Sequence, residues 1–461
     1  MKRNNRVSEF IKANGLVLVL CVAFAIRFAF YISLQPWNNE VVNKTILVTD
    51  SPSYHNLALS LISTKSFESF DGFRTPGYPI FLAIFYSIIP NSVWLALFVQ
   101  ILISVLSAYL VYKIASFYFS KNVSLLASFL FAIDYIQIIS SVQIMTDTLF
   151  VFFFLEAILF LCKYFKFNKT TSLIYSSLLL GCATFVRPVS YLFPIVVVLL
   201  LIFISHTNYK RKLYLSVLYC FVFVFTLSPW IIRNHYTFGD ASLTSVSGYN
   251  LLFYNVASVE SYKSKMPIDV VQKNLGELAI KSGCNPANSL TTLANTKIYT
   301  KISIDYIKAN FVLYCIRNIN GIIYMYCASP AGAIIQNFHI ESKYADYVMN
   351  NRYTSGFKYS DIFKLMSPIE LLITFFGFVY LFANYLFSVY GLTISMRIKE
   401  NFKFILFAVF IVLYFTALTG IVGASRYRMP FMPFINIFCA TGIANFYKII
   451  KKKKEKKSLP A

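Results

Sequence analysis

Charge is scarce in this 461-residue chain: 13% of its residues are charged and only 19 are acidic. Soluble surfaces need about 25% charged residues, so the composition excludes an ordinary soluble domain. Eight cysteines are present, but none forms a CxxC or a Cys/His ligand set. That removes the metal and redox readings such spacings carry, and Cys21, Cys162, Cys182, Cys220, Cys284, Cys315, Cys327 and Cys439 read as small packing residues. No internal repeat is visible, and the lysine-rich end is the one low-complexity tract. The first apolar run, Gly15 to Gln35, lacks the short core and small-x-small site of a cleaved signal, so it reads as a retained span.

What the chain does have is apolar length. It is 57% hydrophobic with a mean hydropathy of +0.63, and runs of roughly 18–22 apolar residues recur, long enough to cross a ~30 Å hydrocarbon core. Its 33 tyrosines and 47 phenylalanines suit lipid contact and interfacial belts. The class is an all-α polytopic membrane protein of about ten spans (range about 8–13). They are placed near Gly15–Gln35, Ser92–Tyr112, Asn122–Ser140, Asp147–Phe165, Thr171–Arg187, Pro188–Ser205, Leu213–Ile232, Ile369–Tyr390, Phe404–Gly423 and Pro430–Tyr447. The expected organisation is an N-terminal membrane module over 1–232 with a first outer loop at 36–91. An extracytoplasmic segment with interfacial helices follows over 233–368, then C-terminal spans over 369–447 and a basic tail over 448–461.

The formal charge is +23, and its bland explanation is topological. One set of short connections holds Lys113/Lys121, Lys163/Lys166/Lys169, Lys210-Arg211-Lys212 and Arg397/Lys399/Lys403, joined by the basic termini. The positive-inside rule puts that set and both termini in the cytoplasm of an inner or plasma membrane. The lysine tail suits anionic lipid heads. Nucleic acid is not an expected partner, because the basic residues lie in short loops between spans.

Asp50, Arg74, Asp147, Arg187, Arg233, Arg426 and Arg428 then fall together on the opposite, extracytoplasmic face. Acids beside a membrane are expensive and call for a reason. Asp50 stands just before Ser51-Pro52, a helix start with serine as N-cap, where it could serve as an ionised general base. Spacing alone favours a simple capping acid, and Glu40, Glu68 and Asp71 share the loop. Asp147 opens the fourth span at the same face, with Thr146 an equal candidate to cap it. Asp134 and Glu156, within spans, are expected to pair with Arg27. Gly77 to Pro90 is apolar but too short to cross, and Phe311 to Ala331, interrupted by Arg317, reads as a surface helix. Arginine grips phosphate in a bidentate fashion and stays charged. Arginines also snorkel passively at interfaces, yet several on the side of two carboxylates point to a phosphate-bearing lipid. His55 and His235 read as plain polar groups.

At these residues the chain resembles the GT-C superfamily of polyprenyl-phosphate-sugar glycosyltransferases, in the branch of the protein O-mannosyltransferases and the lipid A aminoarabinose transferase. The resemblance is carried by Asp50 with Tyr54, Arg74-Thr75-Pro76-Gly77-Tyr78-Pro79, Asp147, Arg187-Pro188, Pro229-Trp230 with Arg233-Asn234, Gly248-Tyr249-Asn250-Leu251-Leu252, and Arg426-Tyr427 with Pro430. Some relatives carry paired acids in the first loop, whereas Asp50 is followed by Ser51. The segment after Tyr254 matches nothing in the pattern.

The resemblance implies a GT-C type bundle and a membrane-bound glycosyltransferase acting at the outer face. Its donor would be a sugar on a polyprenyl phosphate, and its acceptor a hydroxyl of a lipid, glycan or protein. Asp50 would act as base in an inverting attack, with Asp147 as a second catalytic acid. Arg74, Arg187, Arg233, Arg426 and Arg428 would hold the donor phosphate. Tyr54, His55, Tyr78, Asn234 and Tyr427 are further substrate-binding candidates. No cofactor is demanded, although some superfamily members use a divalent metal. The alternatives are an envelope glycan polymerase or ligase using lipid-linked oligosaccharide, and a non-enzymatic lipid flippase or transporter. The last fits less well, since transporters place polar sites at the midplane between repeats.

Overall fold

The computed structural model describes residues 2–205, 207–285, 288–329, 331–332, 334–335, 341–354 and 359–457, and every described element is helical. Helix α1 spans Lys2–Ser33. The first loop carries a π-helical turn at Val42–Ile46 and two longer helices, α2 (Ser51–Thr64) and α3 (Gly77–Ile88). Next come α4 (Val93–Ser116), α5 (Lys121–Ala132), α6 (Tyr135–Ser141), α7 (Asp147–Phe167) and α8 (Thr170–Val186). After α9 (Phe193–Ile204) and α10 (Tyr209–Phe238), a second helical layer holds α11 (Ile268–Lys281), α12 (Thr296–Ala309), α13 (Phe311–Cys327) and α14 (Lys343–Asn351). The chain closes with α15 (Pro368–Met396), α16 (Phe402–Thr419) and α17 (Met432–Lys457).

All ten segments expected to cross the membrane are helical. Seven of the described helices are long and apolar enough to span, and α5 with α6 forms an eighth that bends by 55° at its break. Thr170–Val186 and Pro188–Ile204 are shorter apolar helices. The chain is an integral membrane protein. Its exposed residues along α15 and α16 are mostly Phe, Leu, Val and Ile, the composition a lipid-facing surface requires. The polar interior positions are small. Ser104, Ser107, Ser124, Ser128, Ser176 and Ser177 are buried between helices; Ser104 accepts from Arg27, and the others bond backbone or side-chain oxygens, as in Ser128 to the Ala108 carbonyl at 2.7 Å.

Three expectations need correction here. Arg27 makes no direct ion pair with Asp134 or Glu156, although Asp134 lies within its electrostatic reach. Its guanidinium donates to Ser104 Oγ (2.8 Å) and to the carbonyls of Ala23 (3.1 Å) and Ala132 (2.9 Å). Asp134 instead caps α6, accepting from the backbone N–H of Ile136 and Gln137, because the break after Ala132 leaves that helix start without intrahelical partners. Glu156 lies half-buried on α7, within electrostatic reach of Lys163 two turns further along the same helix. Ser51 is not an N-cap: the cap position of α2 falls on Asp50, and no side chain caps the helix. Helix α10 also runs past the expected end at Ile232 to Phe238, so Arg233 and Asn234 belong to its last turns.

The two layers are joined through the first loop. Asp71 accepts from Phe73 N (2.9 Å) and from the Thr291 hydroxyl, Leu293 N donates to the Asp71 carbonyl, and Ser245 N donates to the Gly72 carbonyl. Asp71 is thereby committed to holding the loop, while Glu40 and Glu68 are exposed.

Candidate active site

Asp50 occupies a strained corner. Thr49 before it has φ +55°, a left-handed conformation that a β-branched residue rarely adopts and that costs roughly 1–3 kcal/mol. The turn aims the Asp50 carboxylate away from the helix start and between two arginines. Arg74 Nη2 donates to Asp50 Oδ1 at 2.8 Å, and Arg426 Nη2 lies 3.6 Å from Oδ2. The side chain is still 38% exposed. Burial pushes the carboxyl up, but Arg74 and Arg426 outweigh it and hold Asp50 below the ordinary carboxylate value. It is therefore ionised, accessible and oriented.

Arg74 is itself fixed. Its Nη1 donates to the Tyr54 hydroxyl at 3.1 Å, and its guanidinium carbon sits 4.7 Å from the ring centroids of both Tyr54 and Phe73. A second pair stands beside the first: Arg187 Nη1 donates to Asp147 Oδ1, with Asp147 almost fully buried. Asp147 therefore does not cap α7, whose N-cap position has no side-chain hydrogen bond. Tyr427 lies between the pairs, its ring centroid 5.3 Å from the guanidinium carbon of Arg187 and 5.7 Å from that of Arg426. Three guanidiniums thus face two carboxylates, an excess of one positive charge in a partly enclosed site.

Close backbone packing brings these distant residues together. The Arg74-Thr75-Pro76-Gly77 segment lies against the end of α8: a Cβ on Gly77 would come within 2.7 Å of the Phe185 carbonyl carbon and oxygen. Arg187, extended at φ −148° ahead of Pro188, leaves α8 at that contact. Gly77→Val should force α3 away from α8, separating Arg74 from Arg187. A stability loss of about 1–3 kcal/mol is expected, read from the thermal midpoint in detergent, together with loss of site function. An unchanged midpoint would show that the contact tolerates a side chain.

On the other side, Arg426 sits in a 3₁₀ turn, Ser425–Arg428, after a loop with Gly420 at φ +60° and Gly423 at φ +51°. A Cβ on Gly423 would overlap the Gly321 carbonyl of α13, and one on Gly321 would overlap the carbonyls of Gly420 and Ile421. Arg352 fastens the same loop, donating to the carbonyls of Val422 and Gly423, with its guanidinium carbon 3.8 Å from the Tyr324 ring centroid. Helix α13 is therefore the base plate of Arg426. Its opposite face exposes Val312, Ile316, Ile319 and Ile323 at helical spacing.

Of the residues proposed from sequence, Asp50, Arg74, Asp147, Arg187, Arg426, Tyr54 and Tyr427 are brought together. Arg428 is not among them. It is 1% exposed and donates to the Met325 carbonyl at 2.8 Å, the Ala328 carbonyl at 3.4 Å and the Tyr135 hydroxyl, so it binds the loop to α13 and α6. Arg233 also lies apart, donating to the carbonyls of Phe67 (2.6 Å) and Phe70 (2.7 Å) and clamping the first loop to α10. Asn234 donates to the carbonyls of Ser242 and Leu243. Tyr78 is buried and donates to Gln100 Oε1 at 2.8 Å. His55 Nδ1 meets the Tyr86 hydroxyl at 3.0 Å, and burial lowers the pKa of His55. These five make their hydrogen bonds outside the cluster of Asp50, Arg74, Arg187 and Arg426. Sequence reasoning missed Arg352, Gly321 and Gly423, which lie in stretches with no motif, and no local signal marks them.

Among the described residues, no three His, Cys, Asp or Glu side chains gather closely enough to hold a metal ion, and both Asp50 oxygens face guanidiniums. The donor set does not fit a divalent cation.

Residues 74–231 match the family described as dolichyl-phosphate-mannose-protein mannosyltransferase. No curated protein matches the chain at the sequence level. Among solved structures, it is similar to the Archaeoglobus fulgidus oligosaccharyltransferase AglB in complex with an inhibitory peptide and a dolichol-phosphate. That likeness has a TM-score of 0.52 and 13% identity, covering 98% of this chain and 53% of AglB. The same organism's oligosaccharyltransferase tethered to an acceptor peptide gives a TM-score of 0.54 at 13% identity, over 95% and 50% of the two chains. The chain spans about half the length of these proteins. ArnT from Cupriavidus metallidurans bound to undecaprenyl phosphate is a weaker likeness, with a TM-score of 0.40 and 11% identity over 93% and 77%. The family match covers residues 74–231, and the likeness to AglB is one of fold.

Proposed function

We propose that this protein transfers a sugar from a polyprenyl-phosphate donor to an acceptor hydroxyl at the outer membrane face, with inversion. The observation that carries the reading is the open Asp50 carboxylate held between Arg74 and Arg426, beside Arg187–Asp147, with one positive charge in excess. A phosphate ester supplies the missing negative charge. Asp50 takes the acceptor proton as the hydroxyl oxygen bonds to the anomeric carbon. The bond from that carbon to the phosphate oxygen breaks, and its electron pair leaves on the polyprenyl phosphate. Arg426 and Arg187 stabilise the charge developing there. A low Asp50 pKa suits this timing, because the attacking hydroxyl becomes strongly acidic only as its new bond forms. Asp147 acts as the anchor of Arg187.

The test is transfer by the purified chain from an undecaprenyl-phosphate-linked monosaccharide, set against a diphosphate-linked oligosaccharide. Use of the oligosaccharide alone would favour a polymerase or ligase, and use of neither would overturn the reading. Loss of one charge-assisted phosphate contact weakens binding by about 10- to 100-fold. Arg426→Ala should therefore raise half-saturation for the donor by about that factor, whereas Arg233→Ala, remote from the cluster, should leave it unchanged. Equal effects would make the arginines general structural elements.

A further inference from the structure

The π-helical turn Leu251–Val256 lies between the two halves of the site. π-helical turns are rare and recur at functional positions. On one side, Tyr249 packs edge-on against Phe73 at 5.2 Å, and Phe73 underlies Arg74. On the other, the Asn255 amide oxygen lies 3.6 Å from where a Cβ on Gly420 would stand, in the loop that leads to Arg426. Tyr254 projects from this turn with its ring 6.2 Å from that of Tyr249. It is 37% exposed. Its hydroxyl lies within electrostatic reach of Asp50, Tyr353 and Tyr427, which together with burial and Tyr249 raise its pKa. Tyr254 is thus braced against Tyr249, which Phe73 links to Arg74 and through it to the open carboxylate, and part of Tyr254 stays exposed.

The chemistry around it selects an occupant. An aldopyranose ring has an apolar face of C–H bonds and a rim of hydroxyls. Tyrosine rings take the first, while carboxylates, guanidiniums and phenols take the second. An acyl chain would leave the charged and phenolic groups unpaired. We propose that Tyr249 and Tyr254 form a saccharide subsite for the acceptor, so that the hydroxyl delivered to Asp50 belongs to a carbohydrate. This rests on the glycosyl-transfer reading given above and names its acceptor class.

The experiment is saturation-transfer NMR on the full chain in detergent, with methyl hexopyranosides as probes and undecaprenyl phosphate added or omitted. The expected result is transfer to the sugar C–H protons that persists with undecaprenyl phosphate bound. Tyr254→Ala should weaken apparent affinity by about 3- to 10-fold, and Tyr254→Phe, which keeps the ring, should retain most of it. Tyr254→Phe also serves if Tyr254→Ala lowers the yield of folded protein. No signal, equal signal in Tyr254→Ala, or displacement by undecaprenyl phosphate would overturn the subsite. A parallel arm offers methyl glycosides, a serine-containing peptide and phosphatidylglycerol as acceptors of radiolabelled sugar. Transfer only to peptide or lipid overturns the inference while glycosyl transfer stands. Glycoside binding without transfer from any polyprenyl-phosphate sugar overturns the transfer reading while the subsite stands.

Discussion

Asp50→Asn is expected to abolish measurable sugar transfer, a fall of about 10²–10⁴-fold, while leaving membrane insertion and the thermal midpoint close to wild type. The amide is nearly isosteric and can still accept from Arg74 Nη2, now 2.8 Å from the carboxylate oxygen, but it cannot take a proton. The side chain is more than a third exposed, so removing its charge leaves no buried ion without water. The pH profile provides an independent check. Burial raises the Asp50 carboxyl and the two arginines lower it further, so the net shift is downward from 3.8. Its charged form, and any stability it contributes, is present above the unfolded value and is lost as pH falls through the lowered folded value. Transfer should hold from neutral pH to about pH 4 before the acid limb begins. Near-normal transfer by Asp50→Asn, or an acid limb near pH 6, would remove Asp50 from the role of base.

The second large effect falls on stability. Arg428→Ala should destabilise the fold by about 3–5 kcal/mol, because it strips the donor from buried carbonyls at the end of α13 and from the Tyr135 hydroxyl. Arg426→Ala, two residues away and 35% exposed, should change stability by about 1 kcal/mol or less. Denaturant unfolding in detergent compares them directly, and equal losses would contradict the division of labour. In a 3₁₀ helix, with three residues per turn, positions i and i+2 point to different sides. One arginine of Ser425–Arg428 therefore faces the cavity and the other the interior.

That pair shows where sequence reading stops. Arg426 and Arg428 share a motif, a flank of span and a residue type, and the resemblance implies a phosphate contact for both. Arg233, at the end of a span with a Pro-Trp motif, looked equally suited, yet its guanidinium is consumed by the Phe67 and Phe70 carbonyls. The capping reading of Asp50 and Asp147 was also reasonable from spacing. It fails because each carboxylate meets an arginine from 24 or more residues away, a contact no local pattern encodes.

The sequence by itself determined the membrane class, the helices and the set of ionisable residues near one end of the bundle. Apolar run length and the cost of charge in lipid act locally along the chain and leave a direct imprint. Only the tertiary structure decided which of those residues meet. Their meeting depends on backbone approaches at Gly77–Phe185 and Gly321–Gly423 and on Arg352 holding the Arg426 loop. Those contacts join segments far apart in sequence, where side-chain direction is set by packing and not by period.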